Sequence, residues 1–165
     1  AHELIVGITE SGKTTLAINK SNRYLAEGIE SIILDPMKDD RWQSEYVYDD
    51  PHEFIATVKA SRHCAIFVDE AGETIGRFGG EMNFLATRGR HYGHVCHFIA
   101  QRANMIDVNV RTNCAILNMF KQSVDDCKIL ASNFAQEELR KGNTLDKGEF
   151  YYCDGFSDVV KYKIF

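Results

Sequence analysis

The sequence predicts an α/β fold: a mostly parallel β-sheet flanked by helices, closed by a C-terminal β-hairpin. Three observations predict it. Short apolar runs alternate with amphipathic stretches, the pattern of strand–helix–strand units. Ile32-Ile33-Leu34 and Ala65-Ile66-Phe67-Val68 are almost continuously apolar, as strands covered on both faces must be. Finally, the tail changes rhythm: Glu149-Phe150-Tyr151-Tyr152-Cys153, a turn near Asp154-Gly155, then Val159 to Phe165 read as a hairpin.

The strands expected in chain order are Glu3–Val6, Ser31–Asp35, Ala65–Asp69, Val95–Ala100 and Ala115–Met119. A helix from Lys13 to about Glu27 places Ala17, Ile18, Tyr24 and Leu25 to one side and stops at Gly28. Another opens at Asp50-Pro51-His52-Glu53, where Asp50 can cap, Pro51 suits the first helical position and Glu53 can complete a capping box. Further helices are expected over Met82–Arg90 and Ser123–Ala131.

With 165 residues, 44% of them hydrophobic and 26% charged, residues 1–165 suit a single globular domain with one core. No apolar run approaches the ~20 residues of a membrane span. The five cysteines, Cys64, Cys96, Cys114, Cys127 and Cys153, are scattered without a CxxC pair. Several fall in apolar runs, where cysteine behaves as a small hydrophobe, so a reducing, intracellular setting is expected. A net charge of −5 argues against a domain that coats nucleic acid electrostatically and leaves room for contact through a few loops.

Gly7-Ile8-Thr9-Glu10-Ser11-Gly12-Lys13-Thr14 satisfies G-x-x-x-x-G-K-[ST] at every fixed position, after a strand and before a helix. The glycines let the backbone curl so that its N–H groups surround phosphates, and the helix N-terminus adds a positive dipole end. Gly7, Thr9, Ser11, Gly12, Lys13, Thr14 and Thr15 are the nucleotide-binding candidates. Lys13 is expected on the β- and γ-phosphates, the Thr14 hydroxyl on magnesium and the Thr15 hydroxyl on the α-phosphate. Glu10, an acid inside an anion cradle, is expected to point into solvent at the loop tip.

Ala65-Ile66-Phe67-Val68-Asp69-Glu70 is an apolar strand ending in two acids. Such endings are common; its pairing with the phosphate loop gives it meaning, as Walker B beside Walker A. Asp69 would hold magnesium, and Glu70 would orient the attacking water and accept its proton. The following strand ends at Gln101, an amide able to sense a γ-phosphate if that strand lies between the first and third. The five strands would then run 5-1-4-3-2, with Ser31–Asp35 at the sheet edge. ATP and Mg2+ are the expected ligands.

These residues resemble, in order and spacing, the FtsK–HerA superfamily of DNA-pumping ATPases: the phosphate loop, Ile33-Leu34-Asp35-Pro36-Met37-Lys38, Val68-Asp69-Glu70 and Ile99-Ala100-Gln101-Arg102. Thr87-Arg88-Gly89-Arg90-His91-Tyr92-Gly93 resembles the Gly-Arg-His segment of viral genome-packaging ATPases. The stretch through Ile106 to Arg111 also resembles ATPases that extrude filamentous phages. The resemblance implies a RecA-like P-loop NTPase core, assembly into a ring, often hexameric, and ATP-driven passage of double-stranded DNA. It implies an arginine inserted from one subunit into its neighbour's site: Arg90 first, Arg88 second, Arg111 third. A viral capsid or membrane vertex is an implied partner, and the host-cell cytoplasm or a virion's packaging vertex the implied location. The family usually has glycine where Glu10 stands, and Thr-Gln where Ala100-Gln101 stand. Two other functions are compatible with the same motifs: a filamentous-phage assembly and export ATPase, and a nucleotide-dependent switch that binds a protein partner.

Other features carry less. His91, His94, Cys96 and His97 crowd together, but strand alternation turns Cys96 and His97 to opposite faces, against a zinc site. The glycine-rich stretch from Gly72 to Gly80 could present Arg77 to DNA phosphate or form an ordinary surface loop. Asp39-Asp40-Arg41 and Asp125-Asp126 read as solvated charge. Trp42 and the tail tyrosines read as packing or subunit contacts.

Overall fold

The computed structural model describes residues 1–70 and 83–165. The expected helix over Met82–Arg90 therefore begins outside the described residues, as does the whole of the Gly72–Gly80 stretch with Arg77. In the described residues the elements are β1 (His2–Val6), α1 (Lys13–Ala26), β2 (Ser31–Leu34), β3 (Tyr46–Tyr48), α2 (Pro51–Ala60) and β4 (Ala65–Val68). Helical residues 83–88 (α3) lead into a 3₁₀ turn, Gly89–Tyr92, and β5 (Val95–Ala100). A short 3₁₀ turn (Ala103–Met105) and α4 (Val108–Thr112) precede β6 (Cys114–Met119) and α5 (Val124–Phe134). A 3₁₀ segment (Glu137–Thr144) and the hairpin of β7 (Glu149–Cys153) and β8 (Val160–Lys163) complete the chain.

The strands form one sheet in the order β3-β2-β4-β5-β1-β6-β7-β8. The five predicted strands keep their predicted order, 5-1-4-3-2 when read from β6 to β2. One expectation is corrected. Ser31–Leu34 is not the edge, because Tyr46–Tyr48 pairs in parallel outside it, Ile33 opposite Val47. Three residues are too few to show a period in the sequence. At the other side β7 runs antiparallel to β6 and β8 antiparallel to β7, which is the predicted hairpin. Asp154 makes its turn by accepting the N–H groups of Phe156 and Ser157 on one carboxylate oxygen.

Strand alternation divides the core in two. Leu4, Val6, Ile66, Val68, Phe98 and Leu117 join one cluster, covered by Phe54 and Val58 of α2 and Leu130 of α5. Ile5, Ile33, Phe67, Ile99 and Phe120 join the other, covered by Ala17 and Ile18 of α1. Asp50 caps α2, its Oδ1 accepting the His52 N–H at 2.9 Å.

The α1 face also holds a buried polar group no single segment could announce. Glu3 of β1, His97 of β5 and Asn118 of β6 are all buried. Lys20 reaches Glu3 at 3.3 Å. The Ile66 carbonyl can only accept, so the His97 Nδ1 at 3.0 Å carries the proton. Nε2 then accepts from the Tyr24 hydroxyl at 3.3 Å. Burial holds the His97 pKa below its ordinary value, which keeps the ring neutral.

Candidate active site

The phosphate loop leaves β1 and is pinned on both sides. The Gly7 N–H donates to the Ala100 carbonyl at 3.1 Å, and the Ile8 N–H to the Lys121 carbonyl at 3.0 Å. From the other direction the Gly148 N–H donates to the Ser11 carbonyl at 2.9 Å, so the approach to β7 braces the loop. A Cβ at Gly7 would collide with Ser11 Oγ and lie 2.6 Å from Phe120 Cβ, so only glycine fits. Gly12 has φ +114°, as the entry to α1 requires.

Gly12 offers α1 no side-chain cap, so the amides of its first turn have no side-chain acceptor there. Ser11 and Lys13 are buried, and among the described residues Ser11 Oγ has no hydrogen-bond partner. A cleft of about 250 Å³ opens at this point, lined by Glu10, Gly12, Lys13, Thr14, Thr15, Arg41, Lys147 and Phe165. Uncapped amides, an orphaned buried hydroxyl, a lysine and a backbone that excludes Cβ atoms fit a polyphosphate. Glu10 is exposed at the rim with φ +64°, a left-handed conformation. Glycine adopts that conformation without the steric cost a side chain brings.

Asp69 follows β4 and is buried. Its N–H donates to the Leu34 carbonyl at 2.8 Å, and its Oδ1 accepts the Glu70 N–H at 2.8 Å. Burial, and then the neighbouring Asp35 carboxylate, push its pKa up to about 7. Two buried carboxylates facing one another are short of positive charge. The Asp69 carboxylate and the Thr14 hydroxyl in the first turn of α1 are hard oxygen donors of the kind that would suit a divalent cation such as magnesium. Glu70 stands at φ +54°, a strained backbone of the kind found at functional sites.

β5 lies between β1 and β4, with Ala100 opposite Val6 and Phe98 opposite Val68. Gln101 therefore emerges between the phosphate loop and Asp69. Its segment is held by Gln122, which sequence reasoning missed. The buried Gln122 amide donates to the Gln101 carbonyl at 2.6 Å and accepts the Ala103 N–H at 3.2 Å.

One reading of charge as solvated is corrected, that of Asp126, whereas Arg41 is exposed as expected. Asp126 is buried, paired with Arg102 at 3.0 Å and accepting the Asn104 N–H at 3.2 Å. Arg41 lies on the cleft wall, its Nη1 donating to Thr15 Oγ1 at 3.0 Å. Neither pairing is visible in sequence, because the partners come from separate segments. Trp42 is buried and packs on Phe67 at 5.6 Å between ring centroids.

The structure does not bring the three arginines to the cleft. Arg90 is exposed in the turn before β5 and donates to the Asn113 carbonyl, just before β6, at 3.3 Å. Parallel strands start at one end of a sheet and finish at the other, so Arg90 lies a strand's length from the phosphate loop of its own chain. Arg88, exposed at the end of α3, and Arg111 in α4 also precede strands. The crowded histidines have internal work. His94 accepts the Cys64 N–H at 3.0 Å and donates to the Val58 carbonyl at 2.9 Å. Cys96 packs in one core cluster, while His97 stacks on Phe67 of the other at 4.2 Å.

No protein-family model matches the sequence, and comparison with curated proteins gives no match. Solved structures do match. The genome packaging NTPase B204 from Sulfolobus turreted icosahedral virus 2, in complex with AMPPCP, superposes with a TM-score of 0.80 at 17% identity, covering 99% of this chain and 97% of that one. The pCW3 conjugation coupling protein TcpA, in a monomer form with ATPgS, gives 0.80 at 17% identity, covering 99% of this chain and 60% of that one. The Type VII secretion ATPase EccC of Thermomonospora curvata gives 0.68 at 13% identity over 98% of this chain and 25% of that one. The fold is shared with these proteins.

Proposed function

We propose that the chain is an ATP-hydrolysing motor that translocates double-stranded DNA, of the viral genome-packaging kind. The observation that carries this reading is convergence. Strand order sets the phosphate loop, Asp69-Glu70 and Gln101 side by side at the C-terminal ends of β1, β4 and β5, the binding edge of an open α/β sheet. The fold shared with B204 and TcpA supports the DNA-moving class.

In this reading the amides of residues 7–14 and the Ser11 hydroxyl wrap the phosphates of ATP, and Lys13 takes charge from the β- and γ-phosphates. Thr14 and Asp69 would hold magnesium, which when bound would neutralise phosphate charge. Glu70 orients a water in line with the γ-phosphate and accepts its proton as the oxygen attacks phosphorus and the bond to the β–γ bridging oxygen breaks, with ADP as the leaving group. Gln101 contacts the γ-phosphate, so its rigid attachment through Gln122 to α5 transmits the presence or loss of that group. Arg90 acts in a neighbouring subunit's site, stabilising charge as the bond breaks. The subunits form a ring, with a hexamer as the expected size. Among the described residues no helix is long and apolar enough to cross a membrane. The proposed location is the host cytoplasm or a capsid or membrane vertex of the virion.

The test is steady-state ATP hydrolysis with and without duplex DNA, at concentrations that favour assembly. Stimulation by DNA that vanishes in Glu70→Gln supports the motor. A robust ATPase indifferent to DNA removes the translocation reading and favours an assembly or switch role. Mixing inactive Arg90→Ala and Glu70→Gln subunits should restore activity at mixed interfaces, and a mixture that stays inactive rejects Arg90 as the trans residue.

A further inference from the structure

The turn between β2 and β3 is organised around one buried carboxylate and ends on the nucleotide cleft. Asp35 accepts three N–H groups: Met37 on Oδ1 at 2.9 Å, and Asp39 and the Trp42 indole on Oδ2, each at 2.9 Å. This holds the Asp39 backbone, and the Asp39 carboxylate in turn holds Arg41. The Arg41 Nε and Nη2 donate to it at 3.0 and 2.8 Å. Nη1 of the same guanidinium donates to Thr15 Oγ1 at 3.0 Å.

The consequence follows from donor counting. A guanidinium has five N–H groups in a rigid plane, and the bonds to Asp39 and Thr15 leave others facing outward. A threonine hydroxyl that accepts from arginine has its own O–H left to donate. We infer that Arg41 is a nucleotide-binding residue acting in cis, which turns the Thr15 hydroxyl into a donor and, together with it, grips the α-phosphate of a nucleoside di- or triphosphate. The inference rests on the proposed nucleotide site. It adds a cation from a turn that the phosphate-loop motif does not include. Lysine cannot replace it, since one ammonium point charge does not span Asp39, Thr15 and a phosphate in a fixed plane.

Trp42 is the only tryptophan in the chain, and it adjoins Arg41 in the same turn, so its emission reports on this segment. The experiment titrates the wild type, Arg41→Ala, Arg41→Lys, Thr15→Val and the double variant Arg41→Ala/Thr15→Val with ATP and with ADP, both with magnesium. Arg41 is exposed, and circular dichroism confirms that each variant is folded. Arg41→Ala is expected to weaken ATP and ADP by the same factor, about tenfold or more for a lost charge-assisted contact. Arg41→Lys should recover little of it. The double variant should lose less than the product of the single losses, because the two side chains act as one unit. In turnover, KM should rise with kcat nearly unchanged.

Affinities within twofold of the wild type in Arg41→Ala would overturn the inference. So would a loss confined to ATP, which would place the arginine on the γ-phosphate, or fully multiplicative losses in the double variant. Lys13→Ala separates this inference from the reading beneath it. If Lys13→Ala abolishes binding while Arg41→Ala does not, only the role of Arg41 falls. If folded wild type binds neither nucleotide, the nucleotide site falls and the inference with it.

Discussion

His2 gives the fold an acid-sensitive hinge between β1 and β5 that can be isolated by measurement. It is buried, and its Nδ1 accepts the Cys96 N–H at 3.0 Å. Burial first, and then the positive charge of Arg90, lower its pKa to about 4. An unfolded histidine titrates near 6.5. Between those values the unfolded chain binds a proton that the folded chain refuses, so stability is lost as pH falls through 6.5 towards 4. At about 1.36 kcal/mol per pKa unit, the loss on going from pH 7.5 to 4.5 is about 2.5 kcal/mol. Asp69 works in the opposite sense. Its folded pKa of about 7 lies above the unfolded carboxylate value, so it withdraws stability as pH rises from about 4 to 7. The raw stability curve therefore mixes two opposed slopes, and only a difference is informative. His2→Asn keeps an acceptor for the Cys96 N–H and does not titrate. The gap between wild type and His2→Asn, from urea unfolding of nucleotide-free protein, should shift by about 2.5 kcal/mol in favour of the variant between pH 7.5 and 4.5. For a chain of this size that is roughly 5–10 °C in Tm. A gap that does not move with pH would refute the reasoning.

Gly7→Ala should destabilise the protein by about 1–3 kcal/mol and weaken ATP binding more than tenfold, because the new methyl meets Ser11 and Phe120. Calorimetry showing native Tm and native affinity would contradict the packing. Glu10→Gly removes a left-handed non-glycine cost of about 1–2 kcal/mol against an entropic loss of about 0.5–1. It should stabilise the chain by about 0.5–1 kcal/mol in denaturant titrations, and a destabilised variant would show that Glu10 holds the loop in another way. Gln122→Ala strands the Gln101 carbonyl and the Ala103 N–H, at about 2–3 kcal/mol of stability, and should lower kcat more than it raises KM. An unchanged kcat would mean that the Gln101 segment does not depend on that clamp.

What the sequence revealed were local periods and fixed spacings. The five-strand order was legible because the phosphate loop, Asp69-Glu70 and Gln101 must share one edge, and the hairpin because its turn carries Asp154-Gly155. Strand β3 was hidden by its brevity. Glu3, His97 and Asn118 each look like a stray polar residue in an apolar run, and only their meeting under Lys20 and Tyr24 explains them. Asp126 and Arg41 read as surface charge for the same reason. What makes each of them structural is a partner from a separate segment, Arg102 for one and Thr15 for the other. Charge in a short polar run carries no mark of whether it folds back on the chain.

The polarity of the sheet has a consequence for assembly. The cleft follows the C-terminal ends of the central strands, and Arg90 precedes their N-terminal ends. A two-fold dimer brings identical patches together, so it could not seat this arginine in a partner's cleft unless the two surfaces coincided. Only a head-to-tail, heterologous contact joins two such different ends, and each added copy leaves one end of either kind unsatisfied. Such a chain of contacts stops growing when its rotation per copy closes on itself, and otherwise continues as a helical filament.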